Sequence, residues 1–136
     1  MLRALAREIG YAYRGSAAAL RDHGLGTAPR FRALMAGHVG MVLYFPEFST
    51  LRGLPGVYVQ DLYVAPDARG GGLARQLLGA VLRDAGDWGA GYMRLSVHRG
   101  NAGAVAFYAR LGFTGDPDEQ PLSLDGAALA RLREAA

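Results

Sequence analysis

The sequence predicts an α+β (α/β) fold with a mixed central sheet, an antiparallel N-terminal part, a central β-loop-α-β crossover and flanking helices. Two apolar strands, VYVQDLYV at 57–64 and YMRLSVH at 92–98, stand on either side of an amphipathic stretch. A connection of this kind joins parallel strands through a helix. Upstream, FRALMA at 31–36 and VGMVLYF at 39–45 are separated by a tight turn, which predicts an antiparallel hairpin. The size of 136 residues, with 51% hydrophobic, suits one compact domain at 1–136.

The N-terminal part should be helical. Apolar residues recur every three or four positions from Leu2 to Leu20, which predicts one amphipathic helix, with Gly15 and Ser16 as the place where it would break. After the hairpin, PEFSTLRGLPG at 46–56 has Pro and Gly at both margins and no periodicity. We therefore expect an exposed loop there.

The strand at 57–64 carries two consecutive polar residues, Gln60 and Asp61. Because side chains alternate across a strand, the two should point to opposite faces, and one should be internal or at a cleft. The next helix should end at Gly86. Its buried face is expected to consist of Leu73, Leu77, Leu78, Val81 and Leu82.

The C-terminal part begins with a predicted helix. Asn101 is a suitable N-cap for a helix that runs to about Leu111, with Gly112 at its end. PLSL at 121–124 is a candidate short strand, and GAALARLREA closes the chain as a helix.

Composition excludes several kinds of chemistry. The chain has no cysteine and no lysine, so disulfides, thiolate metal sites, a cysteine nucleophile and a lysine Schiff base are absent. His23, His38 and His98 lack the short spacing of metal ligands, and we expect no metal. The net charge of +3 comes with scattered arginines, so we expect no nucleic-acid partner. No spanning helix or signal peptide is visible, which predicts a cytoplasmic protein without a membrane partner.

Three consecutive glycines, Gly70 to Gly72, precede the central helix. A glycine loop between a strand and a helix offers free backbone N–H groups and the positive end of the helix dipole, which together favour an anion, most naturally phosphate. Glycine is suited because a side chain would hold the oxygens of a ligand away from those donors. The alternative is a flexible turn without a ligand. A dinucleotide fold fits poorly, since the loop lies mid-chain and reads G-x-G-x-x-R.

The stretch V-A-P-D-A-R-G-G-G-L-A-R-Q-L-L resembles the cofactor loop of the GNAT superfamily of acetyl-CoA-dependent N-acyltransferases. The signature R/Q-x-x-G-x-G/A is met by Arg69, Gly72 and Ala74. The stretch F-S-T-L-R-G-L-P-G-V-Y-V-Q-D-L-Y-V further resembles the spermidine/spermine (diamine) acetyltransferase branch, whose strand has the form Y-L-E-D-L-Y-V. The resemblance covers roughly residues 39 to 113. A second family signature, N-x-x-A-x-x-[FL]-Y-x-x-x-G-F, is met by Asn101, Ala104, Phe107, Tyr108, Gly112 and Phe113.

The resemblance implies that acetyl-CoA is the co-substrate. The loop amides would hold its pyrophosphate, and the strand before the loop would pair with its pantetheine arm. Asn101 would either cap its helix alone or also bond the pantetheine or a water. The implied cofactor-binding residues are Leu62, Tyr63, Val64, Arg69, Gly70, Gly71, Gly72, Leu73, Ala74, Arg75 and Asn101.

Acetyl transfer needs a neutral amine and a proton for the departing thiolate. An alkyl amine has a pKa of about 10.4, so a base is useful near neutral pH. Gln60 stands where the polyamine branch has Glu and cannot act as that base. Asp61 could act through water, orient a neighbour, or be a structural carboxylate satisfied by backbone donors. Glu47 could steer a cationic amine, and we expect Gln60 to lie beside the same substrate.

Tyr108 is the candidate acid. In the family, the matching tyrosine donates its proton to the thiolate, and a phenol with a pKa of about 10 is protonated at neutral pH. The alternative is a core aromatic at helical spacing from Val105 and Leu111. The oxyanion would be met by a backbone N–H near Leu62 or Tyr63.

The sequence is compatible with two functions. The first is an N-acetyltransferase that moves acetyl from acetyl-CoA to a primary amine of a small molecule, such as a polyamine, a diamine or an amino-acid-like compound, by direct attack. The second is a non-catalytic acyl-CoA-binding sensor or interaction module, which Gln60 favours. The family's usual first strand is also not seen before Leu2. Family members often pair through C-terminal strands, which implies a homodimer with PLSL at its interface.

Overall fold

The computed structural model describes residues 1–135 and divides into two compact units, Met1–Asn101 and a second that begins at Ala102. Each unit is described by itself. The first unit holds a four-stranded mixed sheet, and the second holds two helices. The elements are α1 (Leu2–Ile9), α2 (Ala17–Gly24), β1 (Arg32–Ala36), β2 (Gly40–Ser49), β3 (Leu54–Val64), α3 (Leu73–Asp84), β4 (Met93–Leu95), α4 (Ala102–Leu111) and α5 (Gly126–Glu134), with short 3-10 turns at Pro66–Ala68 and Ala85–Trp88.

The N-terminal segment forms two helices, so the prediction of one continuous helix from Leu2 to Leu20 is wrong, whereas the break expected near Gly15 and Ser16 is confirmed at Ser16. Gly10 ends α1 with a φ of 83°, and its N–H donates to the carbonyls of the last helical turn. Ser16 starts α2, where its Oγ accepts a hydrogen bond from the N–H of Ala19 at 3.0 Å. The chain between Gly10 and Ser16 is therefore a linker, and α2 runs on to Gly24.

The strand order is β1-β2-β3-β4, with antiparallel pairs β1–β2 and β2–β3 and a parallel pair β3–β4. This confirms the predicted fold class, the hairpin and the crossover through α3. β4 has only three residues, Met93–Leu95, of the stretch predicted at 92–98.

The prediction of an exposed loop at 46–56 is wrong, because only residues 50–53 form a turn between two long strands. The proline that suggested a loop is Pro46, which lies within β2. The pairing with β1 stops at Tyr44, so beyond it β2 is an edge strand on that side. A proline there removes no hydrogen bond from the ladder.

A β-bulge at Gln60 interrupts the pairing of β2 with β3. Leu43 is opposite Asp61, whereas the next residue, Tyr44, is opposite Val59, so Gln60 is one residue too many. The residues before and after the bulge, Val59 and Leu62, therefore share the sheet face that Val42 and Tyr44 mark. Gln60 and Asp61 lie on the other face together, and the prediction that they point to opposite faces is wrong.

Helix α3 covers one face of the sheet. Val42, Tyr44, Val57 and Val59 on the sheet and Leu77, Leu78 and Val81 on α3 are all buried. Leu82 was expected on this face, but it is 46% exposed because the buried stripe runs through 77, 78, 81 and Ala85. The helix ends at Asp84, not Gly86, and passes into the 3-10 turn. On the opposite face, a smaller cluster of Met41, Leu43 and Tyr63 is covered by α1, Leu20 and Phe31.

The C-terminal end of α3 is fixed to the sheet by a polar network. The Arg32 guanidinium donates to Asp84 and Asp87, both at 2.9 Å, and lies 4.6 Å from the ring centre of Trp88. The Tyr44 hydroxyl donates to Asp84. This bond and Arg32 lower the pKa of Asp84, while burial and the same bond raise the pKa of Tyr44.

The second unit confirms α4 and α5. Gly112 follows α4 with a φ of 98°, as expected for a helix end. The prediction of a short strand at 121–124 is wrong, because these residues are exposed and belong to no strand. A strand needs a partner, and none of the described strands pairs with them.

The packing of Gly56 gives a test of the fold. A methyl group at Gly56 would lie 2.3 Å from the Tyr92 ring. We expect Gly56→Ala to lower the free energy of unfolding by about 1–3 kcal/mol in a urea titration, since the ring must move. The control is Gly86→Ala, which meets nothing within 4 Å at an ordinary φ. Equal stabilities of the two variants would contradict this packing.

Candidate active site

The strand β3 has an open edge beyond the bulge. β4 pairs only with Val57–Val59, and the strands separate after the Val59–Leu95 pair. From Gln60 to Val64, no described strand lies along the edge that faces away from β2. Since a bulge re-aims its strand, the extra residue at Gln60 accounts for the end of the pairing.

Two residues present backbone groups at this open edge. The Ala65 N–H donates to the Val39 carbonyl at 2.7 Å, so it faces β2. Because neighbouring residues alternate, the groups of Val64 and Leu62 face the open edge, and those of Tyr63 face β2. The Val64 carbonyl accepts a bond from Arg69 Nε at 2.8 Å. Within residues 1–135, the Leu62 N–H, the Leu62 carbonyl and the Val64 N–H therefore have no backbone partner and can meet a ligand. The predicted part of the Tyr63 backbone in cofactor binding conflicts with its place in the ladder to β2.

The glycine loop leads into α3 with its amides accessible. Gly70 and Gly72 have φ values of 87° and 83°, which favour glycine. The first helical bond runs from the Gln76 N–H to the Gly72 carbonyl at 3.0 Å. The N–H groups of Leu73, Ala74 and Arg75 come before it and have no acceptor within the helix. Together with the helix dipole, they form a positive end that suits an anion.

The Arg69 side chain connects the glycine loop to β3 and to α1. Its Nη2 bonds the two carboxylate oxygens of Glu8 on α1 at 2.8 and 2.9 Å, and its Nε bonds the Val64 carbonyl. Its guanidinium also lies 5.8 Å from the ring centre of Tyr63. The side chain that was predicted to bind the cofactor is therefore occupied within the protein, and it connects α1 to the loop.

Asp61 is a half-buried carboxylate that lacks a hydrogen-bond partner in the part of the chain that the structure describes. Its oxygens are not sealed from solvent, since residues 1–135 contain no buried side-chain oxygen without a partner. Burial raises the pKa of Asp61. The reading of Asp61 as a structural carboxylate satisfied by backbone donors is therefore wrong. Its neighbour Gln60 is exposed.

Glu47 is paired with Arg94. Arg94 Nε lies 2.6 Å from Glu47 Oε1, and Nη2 lies 3.1 Å from Oε2. The Glu47 side chain is 18% exposed, and that of Arg94 is 49% exposed. An arginine thus compensates the charge of Glu47 and covers its carboxylate, and a part for Glu47 in steering a cationic amine stays a prediction.

An aromatic pair lies beside this ion pair. Phe45 and Tyr58 stack at 5.2 Å, and Arg94 lies 5.8 Å from the ring centre of Tyr58. The Tyr58 hydroxyl is 2.7 Å from Ser96 Oγ, which joins β3 to the segment after β4. These contacts hold the Arg94 side chain against the sheet.

In the second unit, Tyr108 lies on α4 between two other rings. Its ring centre is 5.2 Å from Phe107 and 5.4 Å from Phe113, and the side chain is partly buried. Burial raises the pKa of the Tyr108 phenol. The hydroxyl is therefore kept protonated at neutral pH and can donate a proton. In the first unit, the Asn101 N–H donates to the His98 carbonyl at 2.9 Å, and α4 begins at the next residue.

Residues 1–135 contain no group of three His, Asp or Glu side chains that could hold a metal ion. Among residues 1–135, every helix is too short or too polar to span a lipid bilayer.

The sequence matches the acetyltransferase (GNAT) family over residues 35–113. The chain belongs to this family. A thialysine N-epsilon-acetyltransferase from Bos taurus is 34% identical over 106 residues, which cover 69% of this chain and 62% of that protein. The chain thus spans less than two thirds of the length of this relative.

Two further proteins are similar to this GNAT protein, one in sequence and one in fold. An L-ornithine N5-acetyltransferase from Arabidopsis thaliana is 32% identical over 73 residues, which cover 54% of this chain and 32% of that protein. An integron cassette protein from the mobile metagenome of V. cholerae has the same fold, with a TM-score of 0.75 and 19% identity over 96% of this chain and 86% of that one.

The sequence did not predict three features of the site. The bulge at Gln60 has no local signal except the polar pair itself, and a pairing partner is needed to count the extra residue. The Glu47–Arg94 and Glu8–Arg69 pairs join residues that are 47 and 61 positions apart. Scattered arginines alone could not indicate which of them meet a carboxylate.

The unpartnered carboxylate of Asp61 leads to a prediction on stability. Because its pKa in the folded state is raised above 3.8, the folded GNAT domain binds more protons than the unfolded chain just above that pH. The contribution of Asp61 to stability is therefore lost as the pH rises through this window. We expect Asp61→Asn to raise the urea midpoint at pH 7, and the gain to shrink at about pH 3.5.

The control for this experiment is Asp22→Asn, at an exposed position of α2. It should leave the urea midpoint nearly unchanged at both pH values, as surface substitutions generally do. A loss of stability in Asp61→Asn at pH 7 would show instead that the carboxylate has a stabilising partner.

Proposed function

We propose that this GNAT protein is an N-acetyltransferase that moves an acetyl group from acetyl-CoA to a primary amine of a small molecule by direct attack. The observation that carries the proposal is the open edge of β3 beside a glycine loop whose amides precede α3. An extended arm and an anionic end, joined in one ligand, fit these two features. The names of the thialysine and ornithine relatives support a small amine as the acceptor.

The residues fit coenzyme A in two places. The amides from Gly70 to Arg75 would bind the pyrophosphate, and the Leu62 and Val64 backbone groups would bind the pantetheine arm as if it were another strand. Arg69 takes a supporting part, because its guanidinium bonds Glu8 and the Val64 carbonyl. Asn101 stands before α4 and would cap that helix or bond the arm.

The chemistry that the ligand supplies is an activated acetyl thioester. The Asp61 carboxylate, through a water, would take a proton from the ammonium form of the amine. As the amine nitrogen bonds to the carbonyl carbon, the Leu62 N–H would donate to the oxygen that gains negative charge. The carbon–sulfur bond would then break, Tyr108 would give its proton to the sulfur, and the extra proton of the acylated nitrogen would return to the Tyr108 phenolate.

The proposal also covers the organisation of the protein. We treat both units as parts of one acetyltransferase domain, since the family match at 35–113 includes residues of each. A cytoplasmic location and a homodimer belong to the proposal too. The dimer rests on family resemblance alone, because 121–124 does not form the strand expected at its interface.

The experiment that tests the function is product detection by mass spectrometry with acetyl-CoA and pooled diamines, polyamines and amino acids. We expect acetylated product from wild type, and a fall in kcat of about 100-fold in Tyr108→Phe, because the variant lacks the donated proton. The control, Tyr11→Phe, changes an exposed tyrosine and should retain wild-type kcat.

Two results would count against the proposal. An unchanged kcat in Tyr108→Phe would remove the acid role. Binding of acetyl-CoA without product from any amine would favour the sensor or interaction module.

The glycine loop gives a second prediction. A side chain at Gly71 meets nothing within 4 Å, and its φ is ordinary, so substitutions there should leave the fold intact. We expect Gly71→Glu to raise KM for acetyl-CoA by about tenfold or more over Gly71→Gln, because the added carboxylate repels the pyrophosphate. The two side chains have nearly the same shape and differ in charge. Equal KM values would place the pyrophosphate elsewhere.

A further inference from the structure

The glycine loop has little packing of its own. A Cβ at Gly70, Gly71 or Gly72 would meet no atom within 4 Å, so no neighbouring side chain lies against that side of the loop. Consecutive glycines also leave the backbone with many accessible conformations. A ligand that binds the loop amides has to fix them in one conformation, and this ordering lowers its affinity unless the protein already holds the ends of the loop in place.

The two ends of the loop are held in different ways. On one side, α3 begins at Leu73, whose side chain lies against Gly40 of β2. On the other side, the loop follows Arg69, whose Nε donates to the Val64 carbonyl at 2.8 Å. The Arg69 side chain therefore joins the beginning of the glycine loop to the last residue of β3.

A single acidic residue of α1 holds the Arg69 side chain in this position. Both carboxylate oxygens of Glu8 accept hydrogen bonds from Arg69 Nη2, at 2.8 and 2.9 Å. Within residues 1–135, no other carboxylate pairs with Arg69. An arginine side chain has many rotamers, and acceptors at both Nε and Nη2 select one of them.

Helix α1 is itself held weakly. It has eight residues, fewer than an isolated helix needs to be stable in water, and none of them is fully buried. Its apolar side, which includes Leu2 and Leu5, covers the small cluster around Tyr63. If α1 left the sheet, Glu8 would move away from Arg69. The docking of α1 and the conformation at the start of the glycine loop are therefore linked.

We propose that Glu8 positions the glycine loop for coenzyme A through Arg69, and that it thereby couples the docking of α1 to the binding of the pyrophosphate. This inference rests on the proposed function and adds a positioning residue that does not touch the cofactor. Because Glu8 compensates the charge of Arg69, the loop amides and not this guanidinium meet the pyrophosphate. The two side chains are 40% and 48% exposed, so their ion pair contributes little to global stability. Its effect lies in the affinity for the cofactor.

The test measures acetyl-CoA binding by titration calorimetry, which needs no acceptor amine. We expect Glu8→Gln to raise the Kd about fivefold or more, since glutamine keeps the shape of the side chain but not the charge-assisted bonds to Arg69. In steady-state assays, KM for acetyl-CoA should rise while kcat at saturation stays within about twofold. The urea midpoint should be nearly unchanged. A Kd that is unchanged or lower, or a loss confined to kcat, would overturn the proposal.

Hydrogen exchange tests the coupling to α1. Coupling between two sites is reciprocal, so acetyl-CoA should slow the amide exchange of residues 5–9 in wild type. In Glu8→Gln, saturation with acetyl-CoA should give much less protection of these amides. Exchange in wild type that does not respond to acetyl-CoA would contradict the coupling.

A double-mutant cycle tests whether Glu8 acts through Arg69. Arg69→Lys keeps the positive charge but lacks the planar fork that reaches both acceptors, so it should raise the Kd by itself. Adding Glu8→Gln to Arg69→Lys should then raise the Kd little further. Additive effects of the two substitutions would show that Glu8 acts by another route, and this would overturn the proposal.

The matched control is Glu134→Gln, at an exposed glutamate of α5 that takes part in none of the ion pairs within residues 1–135. It should bind acetyl-CoA as wild type does. If wild type binds acetyl-CoA but acetylates no amine, the proposed function fails, whereas the Kd values still decide the part of Glu8. A wild-type protein that does not bind acetyl-CoA would overturn both.

Discussion

The site depends on one extra residue in β3. The bulge at Gln60 shifts the alternation of the strand, so that Leu62 and Val64 direct their backbone groups to the edge away from β2. The same shift puts Asp61 on the face opposite α3 and ends the pairing with β4 after Val59. In a strand without the bulge, the Leu62 N–H would point to β2 and donate within that ladder. It would then not be exposed at the open edge.

Helix α3 is held at both ends, and this keeps the glycine loop in place. At its start, Arg69 connects the loop to Glu8 on α1 and to the Val64 carbonyl. At its end, Arg32 and Tyr44 bind Asp84. The middle of the helix is buried against the sheet. Gly40 permits this close approach, since a Cβ there would lie 3.0 Å from the Leu73 side chain.

The two carboxylates at the site differ in their pairing, and this difference sets their chemical roles. Glu47 and Asp61 lie on one sheet face, but Glu47 has an arginine partner and Asp61 has none in the described residues. A carboxylate that is half-buried and unpartnered binds a proton more readily, which suits a group that exchanges protons with an amine. The paired carboxylate instead fixes the orientation of Arg94.

The sequence by itself determined the order of the elements, the hairpin, the crossover and the family, because hydrophobic periodicity, glycine positions and two short signatures are local properties. It also identified Asp61, Tyr108 and the glycine loop as candidates. Only the tertiary structure decided the bulge at Gln60, the early end of the first helix at Gly10, the strand residues within 46–56 and the partners of Glu47 and Arg69. Each of these depends on which residues meet across the sheet or between helix and loop, and a linear pattern does not specify such long-range pairing.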